Sequence, residues 1–131
     1  MAVEGFSVEV DSDPDRGGAA AVSGDGKDGK DGGAVTVTVA GDVDLAAADT
    51  LWSVLDEYVH SGAHVIVDCS RVAFLDSMGL RALVAGRGAA LAAGLTFELA
   101  DPSVPVQRVL ELSGTAELFP VRARPAEESE P

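Results

Sequence analysis

The stretch Ala63-His64-Val65-Ile66-Val67-Asp68 and the run that follows it, Phe74-Leu75-Asp76-Ser77-Met78-Gly79-Leu80, decide how this 131-residue chain is read. Consecutive branched apolar residues without helical spacing predict a strand buried on both faces, as central strands beneath helices are. It is the expected middle of the sheet. A loop containing Arg71 and Phe74 is expected next, and then a helix over 78–93, where Leu and Ala are abundant. Gly79, Gly86 and Gly88 weaken that helix, a loss that close approach to neighbouring backbone would offset because glycine has no Cβ.

Upstream of the central strand, Ala48, Leu51, Trp52, Leu55, Tyr58 and Val59 recur at three- and four-residue spacing, with Asp49, Ser53, Asp56 and Glu57 on the other side. This is an amphipathic helix, closed by Ser61-Gly62, whose apolar stripe should cover the sheet. Before it, Val35-Thr36-Val37-Thr38-Val39 alternates as a strand ended by Gly41, and Phe6-Ser7-Val8-Glu9-Val10 alternates as another. Residues 11–33 are mostly Asp, Gly, Ser and Lys, a composition that cannot offset its ordering entropy by burial. They read as a flexible glycine-rich insertion between two antiparallel strands. Downstream, Leu95-Thr96-Phe97-Glu98-Leu99 is a strand, and Pro102 and Pro105 open a short helix that Gly114 caps. Phe119-Pro120-Val121 is an edge strand, and 122–131 an acidic disordered tail. Strands alternating with helices predict one small α/β domain over 6–121, with helices packed on a mixed sheet of four to five strands.

A hydrophobic content of 47% excludes wholesale disorder, and no apolar run approaches the roughly 18 residues of a membrane span. The N-terminus Met1-Ala2-Val3-Glu4-Gly5 lacks the basic and apolar segments of a secretory signal, so the expected location is the cytoplasm. A net charge of −13 repels phosphate backbones and argues against nucleic-acid binding. The single Cys69 follows an apolar run and is expected in the core. His60 and His64 have no companion ligand at metal-site spacing, so no metal and no other cofactor is expected.

Chemistry concentrates around Ser77, at the start of a helix. A hydroxyl there can accept a bond from a first-turn N–H, and this capping role alone would account for serine. It leaves unexplained Asp76 beside it and Asp42 and Asp44 at another strand-to-helix turn, expected at the same end of the sheet. Asp76-Ser77-Met78-Gly79-Leu80 resembles the Asp-Ser-Ser/Thr-Gly-Leu signature of STAS domains in bacterial anti-sigma-factor antagonists. Gly41-Asp42-Val43-Asp44 is similar to the family's Gly-Glu-Leu-Asp turn, and Val106-Gln107-Arg108-Val109-Leu110-Glu111-Leu112-Ser113-Gly114 to its closing helix. Three motifs in the right order carry more weight than any one.

The resemblance implies that Ser77 is the phosphoacceptor of a partner that is both anti-sigma factor and serine kinase. Asp42, Asp44, Asp76, Ser77, Met78, Gly79 and Leu80 would form the partner-binding surface, and a phosphatase would reset the switch. Met78 stands where the family commonly has a second hydroxyl, and Asp42 shortens the usual Glu. Phosphate would add about −1.5 to −2 charges beside carboxylates and disfavour the complex, while free N–H groups at the helix start would ease its presence. Catalysis is not expected: no base accompanies Ser77, no nucleophile elbow surrounds it, and Gly24-Asp25-Gly26-Lys27 is too short and acidic to cradle nucleotide phosphates. The alternative within the same family is a non-catalytic subunit of a lipid-transport ATPase, or a scaffold of a stress-signalling assembly.

Overall fold

Alternation of branched residues builds the apolar face of the sheet. In β3 (Ala34–Val43) Val35, Val37 and Val39 are buried while Thr36 and Thr38 are half-buried. Register places Val35 and Val37 opposite Val65 and Val67 of β4 (His64–Leu75), and these opposite Phe97 and Leu99 of β5 (Phe97–Ala100). Val8 of β2 (Phe6–Asp13) lies opposite Val39. Directly paired residues share a face, so one apolar layer runs across all four strands. Ile66 points the other way and is also buried, in keeping with a central strand covered on both sides.

The computed structural model describes residues 2–3, 5–13 and 33–122. Its sheet has the order β1-β2-β3-β4-β5-β6, with two-residue strands β1 (Ala2–Val3) and β6 (Val121–Arg122) at the edges. The first three strands pair antiparallel and the rest parallel, so the sheet is mixed. The mixed sheet with helices packed on it is as expected; the one strand not expected, β1, has two residues, too few to show a period, and the last edge strand falls at Val121–Arg122 and not at 119–121. The parallel pairs are joined by α1 (Leu45–His60), α2 (Ser77–Ala92) and α3 (Val104–Ser113), the last leading into a 3₁₀ turn at Ala116–Leu118. All three helices feed one core: Leu51 and Leu55 from α1, Leu83 from α2 and Val106 and Leu110 from α3 join the strand valines. Full burial of each such leucine contributes about 1.5–3 kcal/mol.

The strands run further than their periodicity indicates. Asp11, Ser12 and Asp13, expected in the insertion, pair with Thr36, Val35 and Ala34 and extend β2. The rest of that insertion, 14–32, and the tail from 123 lie outside the described residues. Arg71 and Phe74, expected in a loop, are strand residues paired with Ala40 and Asp42. Register shifts at Thr38/Ala40 and Gly41/Asp42 interrupt the alternation there, which hides this half of β4 from a period-two reading.

Of the three glycines in α2, Gly86 sits where a Cβ would lie 2.9 Å from Leu55 Cδ1, whereas Gly88 faces open space. Gly79 is taken up below. Cys69 is buried and free, its thiol pushed up to about 12 by loss of solvation and then by the Asp68 carboxylate. It is a core side chain, not a reactive thiolate. Among the described residues no helix is long and apolar enough to cross a membrane.

Candidate functional site

The parallel strands β3 and β4 end side by side, with Val43 opposite Leu75. The next residue of each chain segment is an aspartate, and each caps a helix. Asp44 Oδ1 accepts the Ala47 N–H at 3.1 Å to start α1. Asp76, extended at φ −100°, ψ −174°, starts α2: its Oδ1 accepts the Met78 N–H at 2.9 Å and the Gly79 N–H at 3.0 Å. The Asp76 N–H donates to the Val43 carbonyl at 3.2 Å, tying the two turns together. The short carboxylate explains aspartate at both places, since it reaches back to the orphan donors of the first turn.

Ser77 therefore does not cap α2. It is the first helical residue, exposed, and its hydroxyl has no hydrogen-bond partner among the described residues. The structural reason for serine that the sequence allowed is thus held by its neighbour, whose backbone has the extended geometry a cap needs. A second expectation also changes: two of the first-turn N–H groups thought free to receive phosphate are occupied by the Asp76 carboxylate.

The other expected partner-binding residues divide by exposure. Asp42 and Asp44 are exposed, and Asp76, Met78 and Leu80 half-buried. Gly79 is buried: a Cβ there would lie 2.6 Å from Leu75 Cδ1 and 2.8 Å from both Val43 Cγ1 and the Val43 carbonyl oxygen. Its place in the motif lets the first turn of α2 rest on the ends of β3 and β4. Asp42 is held by its backbone N–H, which donates to the Gly5 carbonyl at 2.8 Å, and it lies opposite the exposed Phe74.

Sequence reasoning missed the surface next to this turn. Between α1 and α2 runs an open groove of about 580 Å³, lined by Leu45, Ala48, Asp49, Trp52, Met78 and Arg81 among others. Leu45, the first residue of α1, is 64% exposed. An apolar residue directly after a cap and outside the buried stripe was the one available signal.

No base approaches Ser77 from the histidines. His64 begins β4 and Ser77 follows its end, with a strand of roughly 35 Å between them. His60 ends α1 and bonds to the Asp56 carbonyl at 2.9 Å. Among the described residues no group of three or more His, Cys, Asp or Glu side chains could hold a metal ion. The arrangement offers a hydroxyl, carboxylates and an apolar groove, which suit recognition and modification.

Asp76→Ala leaves two N–H groups without their acceptor and is expected to lower stability by about 1 kcal/mol, with Asp76→Asn closer to wild type. Urea unfolding of the three proteins checks this; an alanine variant as stable as wild type would show that the bonds contribute nothing.

The family model described as "Mlab, STAS domain" matches residues 27–120. Among curated proteins none matches the chain. An anti-sigma factor antagonist from Mycobacterium paratuberculosis superposes with a TM-score of 0.65 at 22% identity, covering 92% of this chain and 88% of that one. The anti-sigma factor antagonist SpoIIAA in its unphosphorylated form superposes at 0.61 with 20% identity, over 73% and 84%. SpoIIAA, the Bacillus cell fate determinant, in its phosphorylated form superposes at 0.55 with 22% identity, over 72% and 86%. At these identities the likeness establishes the fold.

Proposed function

Because this chain belongs to the STAS-domain family, we propose that it is an anti-sigma-factor antagonist, switched by phosphorylation of Ser77. The observation that carries this reading is the exposed Ser77 hydroxyl at the first position of α2, with capping already supplied by Asp76. Resemblance to anti-sigma-factor antagonists supports the same role.

In the unmodified state Ser77, Met78 and Leu80 form the docking surface for an anti-sigma factor that is also a serine kinase. Asp42 and Asp44 stand at its rim. Asp44 and Asp76 each use Oδ1 for capping, which leaves a second carboxylate oxygen for a partner's basic groups. Charge complementarity of this kind sets partner choice and encounter rate more than affinity. Gly79 contributes by shape, holding the turn in place. Docking frees the sigma factor.

The kinase transfers the γ-phosphoryl group of its ATP to Ser77 Oγ. A new P–O bond forms as the bond to the β-phosphate bridge breaks, ADP leaves, and a base of the kinase takes the hydroxyl proton. The product carries about −1.5 to −2 extra charges beside Asp42, Asp44 and Asp76, together with bulk in the contact surface, and the complex dissociates. A phosphatase hydrolyses the ester and restores the switch. The chain is substrate, not enzyme, and works in the cytoplasm.

Affinity capture from host lysate with wild type, Ser77→Ala and Ser77→Asp as baits tests this. Wild type and Ser77→Ala should retain an ATP-binding, kinase-like anti-sigma factor, with at least a tenfold loss for Ser77→Asp, equivalent to about 1.4 kcal/mol. Capture of a lipid-transport ATPase, or the same partners on all three baits, would sink the antagonist reading in favour of a subunit or scaffold role.

A further inference from the structure

We propose that Arg81 clamps the phosphate on Ser77 within the same helix, so that one modification changes both the docking turn and the α1/α2 groove. This rests on the reading of Ser77 as the phosphoacceptor. The need for a clamp comes from the site itself: Asp76, next to Ser77 in the chain, already occupies the Met78 and Gly79 N–H groups, and the Asp44 carboxylate stands at the adjoining turn. A cation within reach would offset that negative charge.

Arg81 is the only basic residue in 77–84, the first two turns of α2. It follows Ser77 by four positions, so the two side chains share a face with Cβ atoms about 6 Å apart. The acidic group would lie N-terminal to the basic one, the favourable orientation for such a pair. Both residues are exposed, and neither side chain has a hydrogen-bond or ion-pair partner among the described residues. No existing bond has to break. The guanidinium is always charged, and its fork can meet two phosphate oxygens at once.

Arg81 also lines the groove with Asp49, Met78 and Leu45. Drawn to the phosphate, it leaves Asp49 as the remaining charged residue of that lining. Modification therefore adds negative charge at Ser77 and withdraws positive charge from the adjoining groove, two changes that a partner spanning both surfaces would feel together.

Phosphoserine placed at position 77 of the full chain by genetic encoding, followed by ³¹P NMR titration, tests the clamp without any kinase. The second ionisation of phosphoserine ordinarily falls near pH ~6. In Arg81→Gln its midpoint should rise by about half a unit or more relative to wild type, because a nearby cation favours the dianion. Arg81→Lys should fall between them, keeping charge but losing the fork. Superimposable wild-type and Arg81→Gln curves would overturn the clamp. The capture experiment does not involve Arg81, so failure of the antagonist reading and failure of the clamp show up separately.

Discussion

Gly79→Ala should destabilise the protein by roughly 1–3 kcal/mol and Gly79→Val by more, as overpacking against an unyielding surface does. In an open helix the same Gly→Ala change would stabilise by up to about 1 kcal/mol. At Gly79 the added carbon would meet Leu75 Cδ1 at 2.6 Å, Val43 Cγ1 at 2.8 Å and the Val43 carbonyl oxygen at 2.8 Å. Leu75 can shift its side chain, but the carbonyl cannot move freely. It accepts the Asp76 N–H, so displacing it loosens the bond that joins the two site turns. Gly88 in the same helix is the control, since a Cβ there meets nothing within 4 Å and Gly88→Ala should gain about 0.5–1 kcal/mol. Urea unfolding of both variants reads opposite signs. A Gly79→Ala protein as stable as wild type would mean that the packing of α2 on β3 and β4 is looser than these distances require.

Gly41→Ala should cost about 3 kcal/mol, combining two effects. The residue has φ +93°, a conformation that costs an L-residue about 1–2 kcal/mol, and its added Cβ would overlap the Gly5 carbonyl. That carbonyl accepts the Asp42 N–H, so relief by movement would break the bond that anchors Asp42. For a domain of this size the loss corresponds to a fall in melting temperature on the order of 10–20 °C. A thermal melt shifted by only a degree or two would show that the β2–β3 crossing adjusts at little expense. The first residue of the Gly41-Asp42-Val43-Asp44 turn is thus required by backbone geometry.

The chain's local patterns were sufficient for its three helices and for the cores of strands β2 to β5. Val35, Val37 and Val39 alternate because a strand repeats every two residues, and Leu51, Leu55 and Val59 recur because a helix repeats every 3.6. Both periods are written along the chain and survive folding unchanged. The placement of Ser77 and Asp76 at a strand-to-helix junction was equally legible, since it depends only on where one period stops and another begins.

Tertiary structure decided what depends on pairing between distant segments or on backbone angles. Val43 opposite Leu75 is a matter of parallel register, and it alone puts Asp44 and Asp76 at adjoining turns. The second half of β4 is strand because β3 pairs with it through two register shifts, which erase the alternation that would have announced it. Asp76 and not Ser77 caps α2 because Asp76 takes the extended angles from which a side chain reaches the first-turn N–H groups. Gly79 and Gly88 look alike in sequence, yet one is pressed against Val43 and the other faces open space. Composition and period describe each segment by itself, whereas the meeting of the two aspartate turns and the groove beside them arise from contacts between segments.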